Sequence, residues 1–74
     1  TITLYPNPTK DDFQLSDGVE KVEIYSLTGQ LIKTFKGNST AEDRFAITDL
    51  NKGIYLVKIT NNRNQQGIKK LIKE

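Results

Sequence analysis

The sequence predicts an all-β domain, a compact sandwich of six or seven short, mainly antiparallel strands. Three observations carry this. Short apolar–polar alternations recur at a spacing of ~8–12 residues, the rhythm of sandwiches and barrels. Turn-forming clusters separate them: Ser16-Asp17-Gly18, Thr28-Gly29, residues 37–43 (GNSTAED) and residues 61–66 (NNRNQQ). No stretch shows the three-and-four spacing of apolar residues that marks an amphipathic helix. The chain of 74 residues makes one domain, residues 1–74. So short a chain favours an open sandwich over a closed seven-stranded barrel.

The first element holds both prolines, in Leu4-Tyr5-Pro6-Asn7-Pro8. Proline fixes its own φ, donates no backbone hydrogen bond and pushes the preceding residue toward extended backbone. Tyr5 and Asn7 each precede a proline. The spacing predicts an extended run over residues 5–8, as an edge strand or a lead-in that gives way to a turn. Residues 13–15 (FQL) alternate and form the next short strand. Residues 21–26 (KVEIYS) follow as a well-patterned strand, Thr28-Gly29 supplies a tight turn, and residues 30–36 return. A hairpin across residues 27–30 results.

Residues 44–48 place Phe45 and Ile47 on one face. Residues 53–60 form the best-patterned strand, with Tyr55, Val57 and Ile59 together. Residues 67–73 close the chain. Because alternate strand residues face the core, the expected core is Leu4, Phe13, Leu15, Val22, Ile24, Phe45, Ile47, Leu50, Tyr55, Val57 and Ile59. Two strands leave their inner face open: Leu31 and Phe35 compete with Ile32, and Ile68 and Ile72 compete with Leu71. Gly53 precedes Tyr55 by two residues at a strand start. This arrangement fits a tyrosine corner, in which the hydroxyl bonds backbone upstream. Gly53 would take a positive φ at the turn. A plain core aromatic is the other reading of Tyr55.

Chemistry is sparse. The chain has no histidine and no cysteine, which removes the usual general base, a thiolate nucleophile and the common zinc ligand sets. Ser16, Ser26 and Ser39 have no activating partner nearby in sequence. Asp11-Asp12 suits a solvated turn better than a calcium loop, which needs alternating oxygen ligands. Asn38-Ser39-Thr40 matches the glycosylation pattern, a match short enough to arise by chance. No catalytic residue, cofactor or metal is implied. The lysines do not interleave with aromatics, which argues against nucleic acid as a partner. No apolar run approaches the ~20 residues of a membrane-crossing helix. With no methionine at its start, the chain reads as a piece of a longer protein. Charge is segregated: residues 1–51 carry five basic and eight acidic groups, net −3, and residues 52–74 six basic and one acidic, net +5. A basic tail suits either an anionic partner or a guarded, solvated edge.

Four segments, in order, resemble a known family. They are Leu4-Tyr5-Pro6-Asn7-Pro8; Val22-Glu23-Ile24-Tyr25-Ser26-Leu27-Thr28-Gly29-Gln30-Leu31-Ile32; Leu50-Asn51-Lys52-Gly53-Ile54-Tyr55-Leu56-Val57-Lys58-Ile59; and Lys69-Lys70-Leu71-Ile72-Lys73. Together they resemble the type A C-terminal sorting domain of the type IX (Por) secretion system, found on secreted proteins of Bacteroidetes-type bacteria. One departure is that Asp11 and Asp12 stand where members often carry a glycine ahead of Phe13.

The resemblance implies an immunoglobulin-like sandwich and an address label, not an enzyme. It implies an upstream passenger, carried to the periplasm and then across the outer membrane to the cell surface or medium. The implied partners are the type IX outer-membrane translocon, shuttle proteins and a sortase-like protease that removes the domain. Pro-Asn-Pro would then set the direction in which the passenger linker leaves. Residues 66–74 would be an edge strand open to strand addition, with Lys69, Lys70 and Lys73 steering and Leu71 and Ile72 in apolar contact. The isolated domain would be a monomer or a weak edge-paired dimer. Two rival readings stand beside this: a carbohydrate- or adhesion-type binding module, which the lack of tryptophan disfavours, and a structural spacer.

Overall fold

A computed structural model describes residues 2–74. Among them the chain forms seven strands: β1 (Leu4–Tyr5), β2 (Asp12–Leu15), β3 (Lys21–Ser26), β4 (Leu31–Lys36), β5 (Phe45–Ala46), β6 (Gly53–Thr60) and β7 (Gln66–Lys73). They make two antiparallel sheets. The smaller is ordered β1-β2-β5 and the larger β4-β3-β6-β7. The sandwich expected from the alternation is the fold observed.

The core lies between the sheets, as period-2 patterning dictates. Leu4, Phe13, Leu15 and Phe45 face it from the small sheet, and Val22, Ile24, Val57, Ile59 and Leu71 from the large one. Phe45 joins the two aromatically. It stacks on Phe13 at 5.1 Å and meets Phe35 edge-on at 5.2 Å. Nine of the eleven expected core residues are buried, while Leu50 and Tyr55 pack against the core half-buried. Val19 and Leu71 are the additions. Val19 lies just outside a strand, where periodicity gives no cue. Its carbonyl accepts from the Ser39 amide, and its amide donates to the Ser39 hydroxyl.

The β3–β4 hairpin forms as expected. The Gly29 amide donates to Ser26 at 3.0 Å, and φ +92° at Gly29 requires a residue without a Cβ. The open question in β4 resolves through a register shift. Ile24 pairs with Lys33, but Tyr25 pairs with Leu31, so Ile32 is an extra residue. A bulge of this kind breaks alternation. Phe35 therefore faces the core, while Leu31 and Ile32 are both largely exposed.

Two expectations need correction. The extended run does not continue over residues 5–8: pairing with β2 ends at Tyr5, and the chain bends through Pro6, Asn7 and Pro8. The strand expected over residues 44–48 shortens to Phe45–Ala46, because β2 offers only Asp12 and Phe13 as partners there. Ile47 still donates its amide to the Asp11 carbonyl at 2.8 Å and is fully buried.

Candidate recognition edge

β7 is the outermost strand of the large sheet, and its backbone decides what that edge can do. In an antiparallel ladder, alternate residues turn both N–H and C=O toward one neighbour or the other. The Asn61 amide donates to the Gln65 carbonyl at 2.9 Å. That bond flanks the Thr60–Gln66 pair and makes it a non-hydrogen-bonded pair. Even-numbered residues of β7 therefore point their polar backbone groups away from β6, toward the free edge.

The N-terminal segment closes half of that edge. The Asn7 side-chain amide donates to the Lys70 carbonyl at 2.7 Å, and its oxygen accepts from the Ile72 amide at 2.9 Å. One amide side chain thus imitates the peptide unit of a neighbouring strand. Thr9 continues the contact. Its amide donates to the Ile72 carbonyl at 2.8 Å, and its carbonyl accepts from the Glu74 amide at 2.7 Å. Thr9 also forms a parallel bridge with Lys73. The Thr9 hydroxyl donates to the Asp12 carbonyl, and the residue is buried. Pro-Asn-Pro therefore bends the chain out of the small sheet and presents Asn7 to the last strand of the large one. Its two prolines bring no backbone donors to this contact.

The other half of the edge is open. Among the described residues, the N–H and C=O of Ile68 and the N–H of Lys70 have no protein partner. Ile68 is 66% exposed. Beside this half, on the core-side face, lies a hollow of about 270 Å³ lined by Ile2, Ile59, Asn61, Gln65, Gly67 and Lys69. On the outer face Lys58 stands opposite Ile68, Leu56 opposite Lys70, and Ile54 opposite Ile72. β6 and β7 carry Lys58, Lys69, Lys70 and Lys73 and no carboxylate.

The residues expected to steer and contact a partner do not share a face. Lys69, Leu71 and Lys73 point to the core side, and Lys70 and Ile72 to the outside. Leu71 is completely buried, so its expected role in apolar surface contact is corrected: its side chain belongs to the core between the sheets. Ile72 is half-buried, and its backbone is taken by Asn7 and Thr9. The expectation of free backbone along residues 66–74 is corrected in the same way, because it holds only for the first half. Sequence reasoning gave Asn7 no bonding role and did not single out Thr9. The signal for Asn7 was its position between two prolines, which leaves its side chain as the polar group able to reach an edge.

At the clamped, C-terminal end of β7 the corner forms, where Tyr55 and Gly53 pair with Leu71 and Lys73. The Tyr55 hydroxyl donates to the Asn51 carbonyl at 2.7 Å, with Gly53 at φ +153° between them. Across the outer face, the Tyr25 phenol is pushed above the usual tyrosine range, first by desolvation and then by the Glu23 carboxylate it touches.

Residues 3–74 match the family model described as a secretion system C-terminal sorting domain. The chain belongs to that family. It is a C-terminal sorting domain for type IX secretion, a non-catalytic signal. The expected resemblance and the absence of an active site are both explained by this membership. The domain is also similar to part of an ulvan lyase, NLR42, from Nonlabens ulvanivorans, at 35% identity over 75 residues. That match covers 97% of this chain and 14% of the lyase. The sorting domain thus spans about one-seventh of the length of that relative. Recognition by secretion machinery follows from the family, and the protein that carries the tail is a secreted one.

Proposed function

We propose that this domain is handed, at the end of its passenger, from periplasmic shuttle proteins to the type IX outer-membrane translocon. A sortase-like protease then cuts it away, and the passenger reaches the surface or the medium. The observation that carries the reading is the family match across residues 3–74. The segregated charge supports it. Lys69, Lys70 and Lys73 lie on a strand without carboxylates, and such a patch draws an acidic partner surface and speeds encounter. The relative's name supports a passenger of the polysaccharide-degrading kind. Pro-Asn-Pro sits on the side where the passenger joins, so the clamp at Asn7 also orients that linker.

The test fuses residues 1–74 to a reporter exported to the periplasm of a bacterium with a working type IX apparatus. Reporter in the medium or on the surface is expected, and reporter without the domain stays in the periplasm. Equal retention of both would overturn the proposal. Truncation of residues 69–74 is a poor test, because it removes Leu71 from the core and unfolds what it is meant to probe.

A further inference from the structure

We infer that the open half of the β7 edge, at Ile68 and Lys70, is a strand-addition site for one extended, acidic–apolar segment of a secretion partner. This rests on the sorting function above and locates where the domain is held. Three independent features coincide there. Unpartnered N–H and C=O groups at an edge are a template that only another extended chain completes. The added strand's alternate side chains would point to the two faces. On the core side they meet the 270 Å³ hollow, whose apolar wall is Ile2 and Ile59 and whose rim carries Lys69. On the outer side they meet Ile68, with Lys58 and Lys70 beside it.

The occupant follows from this chemistry. An apolar side chain fills the hollow, and carboxylates neighbour Lys69 on one face and Lys58 and Lys70 on the other. β6 and β7 carry no carboxylate, and although Glu23 of β3 stands opposite Lys58, Lys69 and Lys70 face no acidic cross-strand neighbour, which makes the site selective by charge. Asn7 and Thr9 supply the boundary. Because they occupy Lys70 C=O, Ile72 and Glu74 N–H, the incoming strand has one place to stop. The clamp therefore fixes register, which a bare lysine-rich edge would leave free to slip.

The test uses the full-length parent in a cell with a working apparatus. Ile68→Pro removes an outward N–H that has no partner among the described residues and leaves the β6 ladder intact. Gly67 has open space where a Cβ would go and lies on the core-side face, so Gly67→Leu fills the hollow. Thr34→Pro makes the equivalent change on β4, the opposite edge. Both β7 variants are expected to lower secretion by about ten-fold, the effect of losing one well-made contact, with wild-type melting temperatures. Thr34→Pro is expected to secrete normally. If Ile68→Pro fails to fold, Gly67→Leu carries the test.

Normal secretion of the folded β7 variants overturns the site. If complete removal of the domain still blocks secretion, the sorting function survives that result. If removal has no effect, the sorting function itself fails. Amide exchange in the parent supplies a second readout. Ile68 and Lys70 should exchange fast, and protection there would mean that another segment of the same chain, or a second copy, already fills the edge. A loss in Thr34→Pro alone would move the site to β4.

Discussion

Asn7 is the residue on which the domain's two ends depend. Its side chain spans 63 and 65 positions of sequence to reach Lys70 and Ile72. Each bond is exposed and contributes about 1 kcal/mol. Asn7→Ala should lower stability by roughly 1–2 kcal/mol, or about 4–16 °C in a domain of this size. It should also free the Ile72 amide to exchange, which hydrogen-exchange mass spectrometry would show. Asn7→Asp should do no better, since the acceptor it keeps for Ile72 is offset by a carboxylate oxygen set against the Lys70 carbonyl where the amide donor stood. A variant as stable as wild type would mean that Thr9 alone holds the segment.

A second residue-level prediction concerns acid. Asp49 accepts from Lys33 through both oxygens, at 3.0 and 3.1 Å. The Lys33 hydrogen bond, helped by a backbone one, holds the Asp49 carboxyl below the usual aspartate range. The folded state thus binds that proton less tightly than the unfolded chain. The contribution is fully present above the unfolded aspartate value of about 3.9. It disappears as pH falls through the lower folded value. Asp49 is solvent-exposed, so the effect is small. Asp49→Asn should flatten the acid limb of a stability-versus-pH curve slightly, and a steeper limb would contradict the assignment.

Among elements, β7 has two incompatible-looking demands: it must bury an apolar residue and display cations. Alternation separates only Lys70 from Leu71, since Lys69 and Lys73 share the core-side face and lie half-buried on either side of Leu71. Leu71 enters the core while Lys69, Lys70 and Lys73 remain at the surface. Leu71→Ala should cost about 2–5 kcal/mol. That is comparable with the whole stability expected of so small a domain, a few kcal/mol. Loss of a cooperative melt is the expected outcome in calorimetry. In contrast, Leu31→Thr changes an exposed position and should shift stability by under ~0.5 kcal/mol. β4 also shows where patterning misleads. Leu31 and Phe35 are spaced for one face, but the bulge at Ile32 puts Leu31 opposite the outward Tyr25. A bulge leaves no signature in hydrophobicity, because it depends on how the partner strand registers.

For the whole molecule, the charge asymmetry makes a prediction about partners. Replacing Lys69, Lys70 and Lys73 together by glutamine removes three cations from the +5 segment, residues 52–74, while sparing Leu71. Stability should change little, since no ion pair involves these lysines among the described residues. Secretion should slow, because steering acts on encounter more than on the fold. Pulse-chase export of the parent measures this directly. Unaltered kinetics would assign the lysines to edge protection alone.

The chain's local order was written in its residues. Alternation marked nearly every strand, turn chemistry placed the hairpin at Gly29, and Gly53 with Tyr55 announced the corner. Four short motifs in sequence marked the sorting family. All of these are properties of neighbours, where period and backbone preference act over a few positions. The recognition edge was legible only as a cationic strand. That Leu71 is interior, that Val19 is sealed by Ser39, and that Asn7 closes one half of β7 while Ile68 stays open, came from folding. Such contacts join residues dozens of positions apart, and no local periodicity encodes which two distant segments meet.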